Sequence, residues 1–181
     1  MIPRPLPPYT HIPGVTPHPI RDPAGHSYVA SGASPTPLVP TVHASLTWAE
    51  LPDHPEFRWA VQLFNAGYYW ESHEAWESLW HTAGRRGALA DFLKGLIKLA
   101  AAGVKLREQN LVGVERHARR ALELFSEVHQ QQGSVDDISA SLPLSELLLL
   151  ASQLLQHSPR PPDDRTGIPR QSLSRLPWPS E

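Results

Sequence analysis

The chain has 181 residues, enough for one ordinary domain and too few for two of typical size. Sixteen Lys and Arg against 18 Asp and Glu leave it near neutral, without the basic excess that duplex nucleic-acid binding needs. The absence of cysteine excludes disulfide frameworks, thiolate zinc sites and cysteine nucleophiles.

Proline partitions the chain. Of the 20 prolines, eleven fall in the first 40 residues and six follow His157, leaving Pro52, Pro55 and Pro143 between. Proline fixes φ and removes a backbone donor, so both ends are barred from regular helix and a folded core is expected over residues 47–157. Residues 1–46 read as an extended proline-rich arm. Its opening residues, Met1 to Pro8, have no apolar run of signal-peptide length. Tyr9, Ile12, Val15, Ile20 and Tyr28 punctuate the arm as apolar anchors that would let it lie along the core; the alternative reading is a disordered arm. Residues 158–181, with Arg160, Asp163, Asp164 and Trp178, read as a flexible proline-rich tail.

Five helices follow from the apolar spacing, and no two-residue alternation asks for a strand. The first runs from Pro55 through Phe57, Val61 and Phe64 to a stop at Gly67. The second covers about Tyr68 to Thr82, and the third about Ala88 to Glu108. A turn at Gln109 and Asn110 leads into the fourth, about Leu111 to Gln131, closed by Gly133. The fifth starts near Pro143 and carries Leu144, Leu147, Leu148, Ala151 and Leu155.

Helix three is apolar on two faces, which makes it the centre of an all-α bundle: Phe92, Leu96, Leu99 and Leu106 lie on one, Leu93, Ile97, Ala100 and Val104 on the other. Gly95, Ala102 and Gly103 are expected where a neighbouring helix comes close, because the glycines otherwise only cost helix propensity. The remaining stripe is Lys94, Lys98 and Lys105, within about 40° of each other on an ideal helix. It is either a solvated strip or a partner for carboxylates of helix two or for a bound anion. Helix four turns Ala118, Ala121, Leu122, Phe125 and Val128 inward. Outside, Glu115 and Arg119 form an i,i+4 pair, and Arg116 and Arg120 alternate with Glu123 and Glu127 as a salt-laced face.

Ionisable and aromatic residues are densest from Tyr69 to His81. His73 and Glu77, four apart, share one face of helix two, and an imidazole beside a carboxylate in a partly desolvated place suits acid–base chemistry or metal ligation. The zincin pattern would need histidine at position 77. The di-iron Glu-x-x-His pattern would need glutamate where Trp70 and Ser78 stand, so neither motif is present. The pair therefore reads as a structural polar network, as part of a small-ligand site, or as two ligands of a divalent metal. A third ligand would then come from elsewhere, such as His11, His18 or His26 if the arm folds back.

Three stretches together resemble domain-of-unknown-function family 309: Leu63 to Trp80, Asp91 to Ala102 with its Phe92-Leu93-Lys94-Gly95-Leu96-Ile97, and the turn Gln109 to Gly113. The resemblance spans about residues 57–125. It implies an all-α bundle of bacterial or archaeal type whose biochemical role is not established. It places the family's signature polar residues on Asn65, His73, Glu74 and Glu77, with Trp80 and Gly95 as packing partners. Lys94 and Lys98 stand where the family is expected to carry glutamine, which would make a site beside helix three more basic.

The functional expectation is a small-ligand, anion or protein binding module, with Asn65, Tyr69, His73, Glu74, Glu77, Lys94 and Lys98 as candidate binding residues. The alternative is a metal-dependent, hydrolase-like enzyme using His73 and Glu77 as metal ligands. A helical scaffold ranks lower, since the sequence has no internal repeat. No nucleic-acid or membrane partner is expected, the setting reads as cytoplasmic, and docking of the arm on a second copy would give a homodimer.

Overall fold

The computed structural model describes residues 4–30, 46–132, 142–156, 166–169 and 172–177. Gly133, residues 158–165 and Trp178 lie outside the described residues. A short 3-10 turn, Leu51–Asp53, precedes five helices: α1 Pro55–Asn65, α2 Tyr69–Thr82, α3 Ala88–Arg107, α4 Leu111–Gln132 and α5 Leu144–Gln156. Among the described residues there is no strand and no helix long and apolar enough to cross a membrane.

Local chemistry sets the boundaries. Pro55 occupies the first turn of α1, where its missing N–H costs nothing, and the His54 ring caps the Glu56 N–H. Gly67, with φ of +85°, turns the chain out of α1. Asn110 opens α4 by accepting the Gly113 N–H at 2.9 Å. Gln109 before it takes a left-handed φ of +61°, which completes the tight turn between α3 and α4.

The bundle is layered around α3, which packs against α2 on one side and α4 on the other, with α1 behind α2 and α5 behind α4. Both apolar faces expected of α3 are buried. The two glycines sit at the expected close approaches: a methyl group at Gly95 would collide with the ring of Phe125 in α4, and one at Gly103 with the ring of Tyr69 in α2. Beyond its first two residues, Ala88 and Leu89, what α3 leaves half-buried is a single stripe, Asp91, Lys94, Lys98, Ala101 and Lys105.

The described part of the arm folds back on α2. Of its apolar residues Ile12 is buried and Tyr9 half-buried, while Val15, Ile20 and Tyr28 are exposed. The docking also has a polar part, centred on Glu71 of α2. The tail, expected to be flexible, also packs where it is described, for Leu173 and Leu176 belong to the hydrophobic core. Its polar, proline-rich average conceals two leucines and a backbone that the core side chains satisfy.

Candidate functional site

The candidate residues of α1, α2 and α3 separate into three places. Asn65 and Tyr69 face the tail. The Asn65 amide pairs with the backbone of Leu176, and the buried Tyr69 hydroxyl accepts the N–H groups of Ser172 and Leu173.

Glu74 belongs to a second place, a cleft of about 520 Å³ between the arm and α1 and α2. Trp59, Trp70 and the prolines of the arm form its apolar walls, and Glu71 and Glu74 supply carboxylates. Arg4 closes one end, stacked on Trp59 at 4.9 Å and ion-paired with Glu56 at 2.9 Å. Burial, then the neighbouring charges of Glu77 and Glu71, push the Glu74 carboxyl above its usual range, with Arg21 opposing.

Glu71, which the sequence did not single out, is the hinge pin of this region. It is buried, and its two oxygens accept the Thr10 hydroxyl at 2.8 Å, the His11 N–H at 2.8 Å and His26 Nε2 at 3.4 Å. A buried carboxylate is tolerable only when so satisfied. The arm is thus its solvation shell. His11 packs edge-on against Trp70 at 5.2 Å and beside His18 at 5.0 Å. Burial, then His18, lower the His11 pKa. The arm does bring histidines to α2, but His26 meets Glu71 rather than the His73–Glu77 pair. Among the described residues no group of three or more His, Asp or Glu side chains could hold a metal ion.

The third place lies over the half-buried stripe of α3. His73 and Glu77 on α2, Lys94 and Lys98 on α3, and Arg116 and His117 on α4 act on one another electrostatically there. Burial lowers the His73 pKa, with Glu77 opposing and Lys98 adding. Burial also lowers that of Lys98, helped by Lys94, Arg120 and Arg116 and opposed by Glu77. The effect is largest at His117, pulled from 6.5 to about 4 by burial and then by Lys98, Arg116, Lys105 and His73. Both imidazoles are therefore neutral near pH 7.

Some of the cations here are already engaged. Lys105 pairs with Glu108 at 2.7 Å and Arg120 with Glu123 at 2.8 Å. Lys94 lies over the Trp80 ring at 5.9 Å, and Lys98 has no ion-pair or hydrogen-bond partner among the described residues. The Trp80 indole N–H is also buried without an acceptor among them. His73 makes only a 3.8 Å approach to Glu74. The sequence singled out His73, Glu77, Lys94 and Lys98 but missed His117. The available signal was its place one turn before Ala121 and beside Ala118, on the border of the inward face of α4.

Comparison with known protein families places these observations. A family model described as a domain of unknown function, DUF309, matches residues 57–117, from Phe57 in α1 to His117 in α4. The resemblance read in the helical core holds over that stretch, which contains Asn65, Tyr69, Glu71, His73, Glu77, Lys94, Lys98 and His117. No curated protein matches the chain. The matching family model describes a domain without a biochemical role.

Proposed function

We propose that the protein is a binding module for a small anion, held at the half-buried lysine stripe of α3 by groups from α2, α3 and α4. The observation that carries this reading is Lys98: a half-buried ammonium without a partner among the described residues, flanked by Lys94, Arg116 and two neutral imidazoles, and faced by one carboxylate, Glu77. Crowded cations on a partly desolvated surface repel one another, and an anion placed among them relieves that repulsion. His73 and His117 would donate to it, and the buried Trp80 N–H is a further unused donor at the Lys94 end.

Bound anion raises the pKa of both histidines, so binding takes up protons and its affinity grows as pH falls below 7. Sulfate tests this well, because its charge is constant over that range. Titrated at fixed ionic strength, sulfate is expected to raise the melting temperature of the wild type, by about 2.7 kcal/mol of stability at a hundredfold excess over Kd. Lys98→Gln should abolish the effect, and Arg119→Gln, on the outer face of α4, should leave it. Equal stabilisation of the wild type and Lys98→Gln would reduce sulfate to a general salt effect and remove the reading. The competing reading, a hydrolase-like metal centre at His73 and Glu77, would instead require stoichiometric divalent metal in tag-free protein, lost in His73→Ala.

A further inference from the structure

Three side chains of the family-matched stretch end on the main chain of one segment. Asn65 donates to the Leu176 carbonyl at 3.0 Å and accepts the Leu176 N–H at 2.8 Å, the double bond pattern that a paired residue in an antiparallel ladder would make. The Tyr69 hydroxyl accepts the N–H groups of Ser172 and Leu173 at 2.8 and 2.9 Å. Arg107 Nη2 donates to the carbonyls of Thr166 and Ile168, both at 2.8 Å. None of these bonds reads a side chain of the segment.

What the surface does read is a pair of leucines three apart. Leu173 and Leu176 are buried, while Ser174 and Arg175 between them are exposed. The opposite wall is α5, and the fit there is loose. Clefts of about 500 and 190 Å³ lie between the segment and Leu149, Leu150 and Gln153, and Leu149 remains 51% exposed. The polar side thus holds the backbone of the segment, with the arm donating the Thr10 N–H to the Gly167 carbonyl at 2.8 Å and leaving no space for a side chain at position 167, and the apolar side has room beside Leu173 for a larger side chain.

We propose that Asn65, Tyr69, Arg107 and α5 form a receptor groove for an extended peptide with two apolar residues spaced as Leu-x-x-Leu. Residues 166–169 and 172–177 occupy the groove in cis, and a segment of another protein with the same leucine spacing displaces them. Recognition through main-chain bonds with pockets for alternate side chains is how exposed edges capture extended peptides. The tethered segment competes at high effective concentration, so a successful partner must fill the space beside α5 better, for instance with Phe or Met in place of Leu173.

The test uses the full chain with Leu173→Asp and Leu176→Asp, which vacates the groove, titrated with a fluorescent peptide of the wild-type sequence 166–177. Saturable binding with Kd on the order of micromolar is expected, falling at least about tenfold when Asn65→Ala is added. A peptide with both leucines replaced by Asp should not bind. A helical, folded variant that binds no peptide overturns the proposal. If the double variant does not fold, hydrogen exchange of the wild type decides: the Leu173 and Leu176 amides should exchange at least about a hundredfold faster than those of Leu96 and Leu99 in α3. Exchange at the same rate as α3 would make the segment an inseparable part of the core and overturn the proposal. Tail exchange between two wild-type chains, detected as a concentration-dependent dimer, would make a second copy the occupant and overturn the choice of a foreign peptide.

Discussion

His117 shows how much of a site can hide in one side chain. Its pKa of about 4 in the folded protein lies below the ordinary value of 6.5, so the unfolded chain binds a proton that the folded chain refuses. Stability therefore falls as pH drops from about 6.5 to about 4 and levels off below that. The shift alone corresponds to about 3 kcal/mol, and the partial exposure of the ring reduces this to about 1–2 kcal/mol. Chemical denaturation of the wild type and His117→Gln at pH 7 and pH 4.5 isolates the effect, because other titrations cancel in the difference. The wild type should lose more stability on acidification, and equal losses would place His117 in solvent. His73, Glu77, Lys94 and Lys98 were legible because i,i+4 spacing puts each pair on one helix face. His117 was not, because its importance comes from α2 and α3 packing beside it, which no spacing within α4 encodes.

Helices carry the most readable information in this chain. Apolar periodicity, prolines and capping residues placed all five to within a residue or two, since a helix is specified by neighbours within one turn. The glycines of α3 were readable for the same reason: a residue that costs helix stability must be repaid by contact. Gly95→Ala separates the two terms. Alanine gains about 1 kcal/mol of helix propensity, whereas forcing a methyl group into the ring of Phe125 costs about 1–3 kcal/mol or more, so the variant should be less stable overall. A melting temperature several degrees lower is expected by circular dichroism. An unchanged or higher one would mean that α3 and α4 can separate at no cost. The short 3-10 turn at Leu51–Asp53 escaped notice because three residues offer no period to read.

Among the described residues, the fold at the scale of the whole molecule is a helical bundle with an irregular wrap held by hydrogen bonds and by a few buried apolar side chains, Ile12, Leu173 and Leu176. Apolar anchors were one expected means of docking the arm, and Ile12 is buried, but a buried carboxylate of α2, Glu71, also accepts from Thr10, His11 and His26 of the arm. Sequence cannot mark Glu71 for this, because it reads like the other glutamates of α2, Glu74 and Glu77, until a segment sixty residues away reaches it. Glu71→Ala leaves the Thr10 hydroxyl and the His11 N–H without their acceptor, and unmet buried donors cost about 1–3 kcal/mol each. Release of the arm is less costly than burying them. The His11 amide should then exchange at least about tenfold faster, while amides of Leu96 and Leu99 keep their rates. Unchanged protection of His11 would assign the docking to Ile12 and the prolines instead.

The partnership between Asn65 and Leu176 also has a temporal side. Leu176 follows Asn65 by 111 residues, and Leu173 follows Tyr69 by 104. During synthesis, α1 to α4 leave the ribosome and can pack through contacts near in sequence long before that distant stretch is made. For that interval the amide of Asn65 and the hydroxyl of Tyr69 face water or a passing chain. The contact of Asn65 and Tyr69 with residues 172–176 therefore closes later than the packing of the helices that carry them.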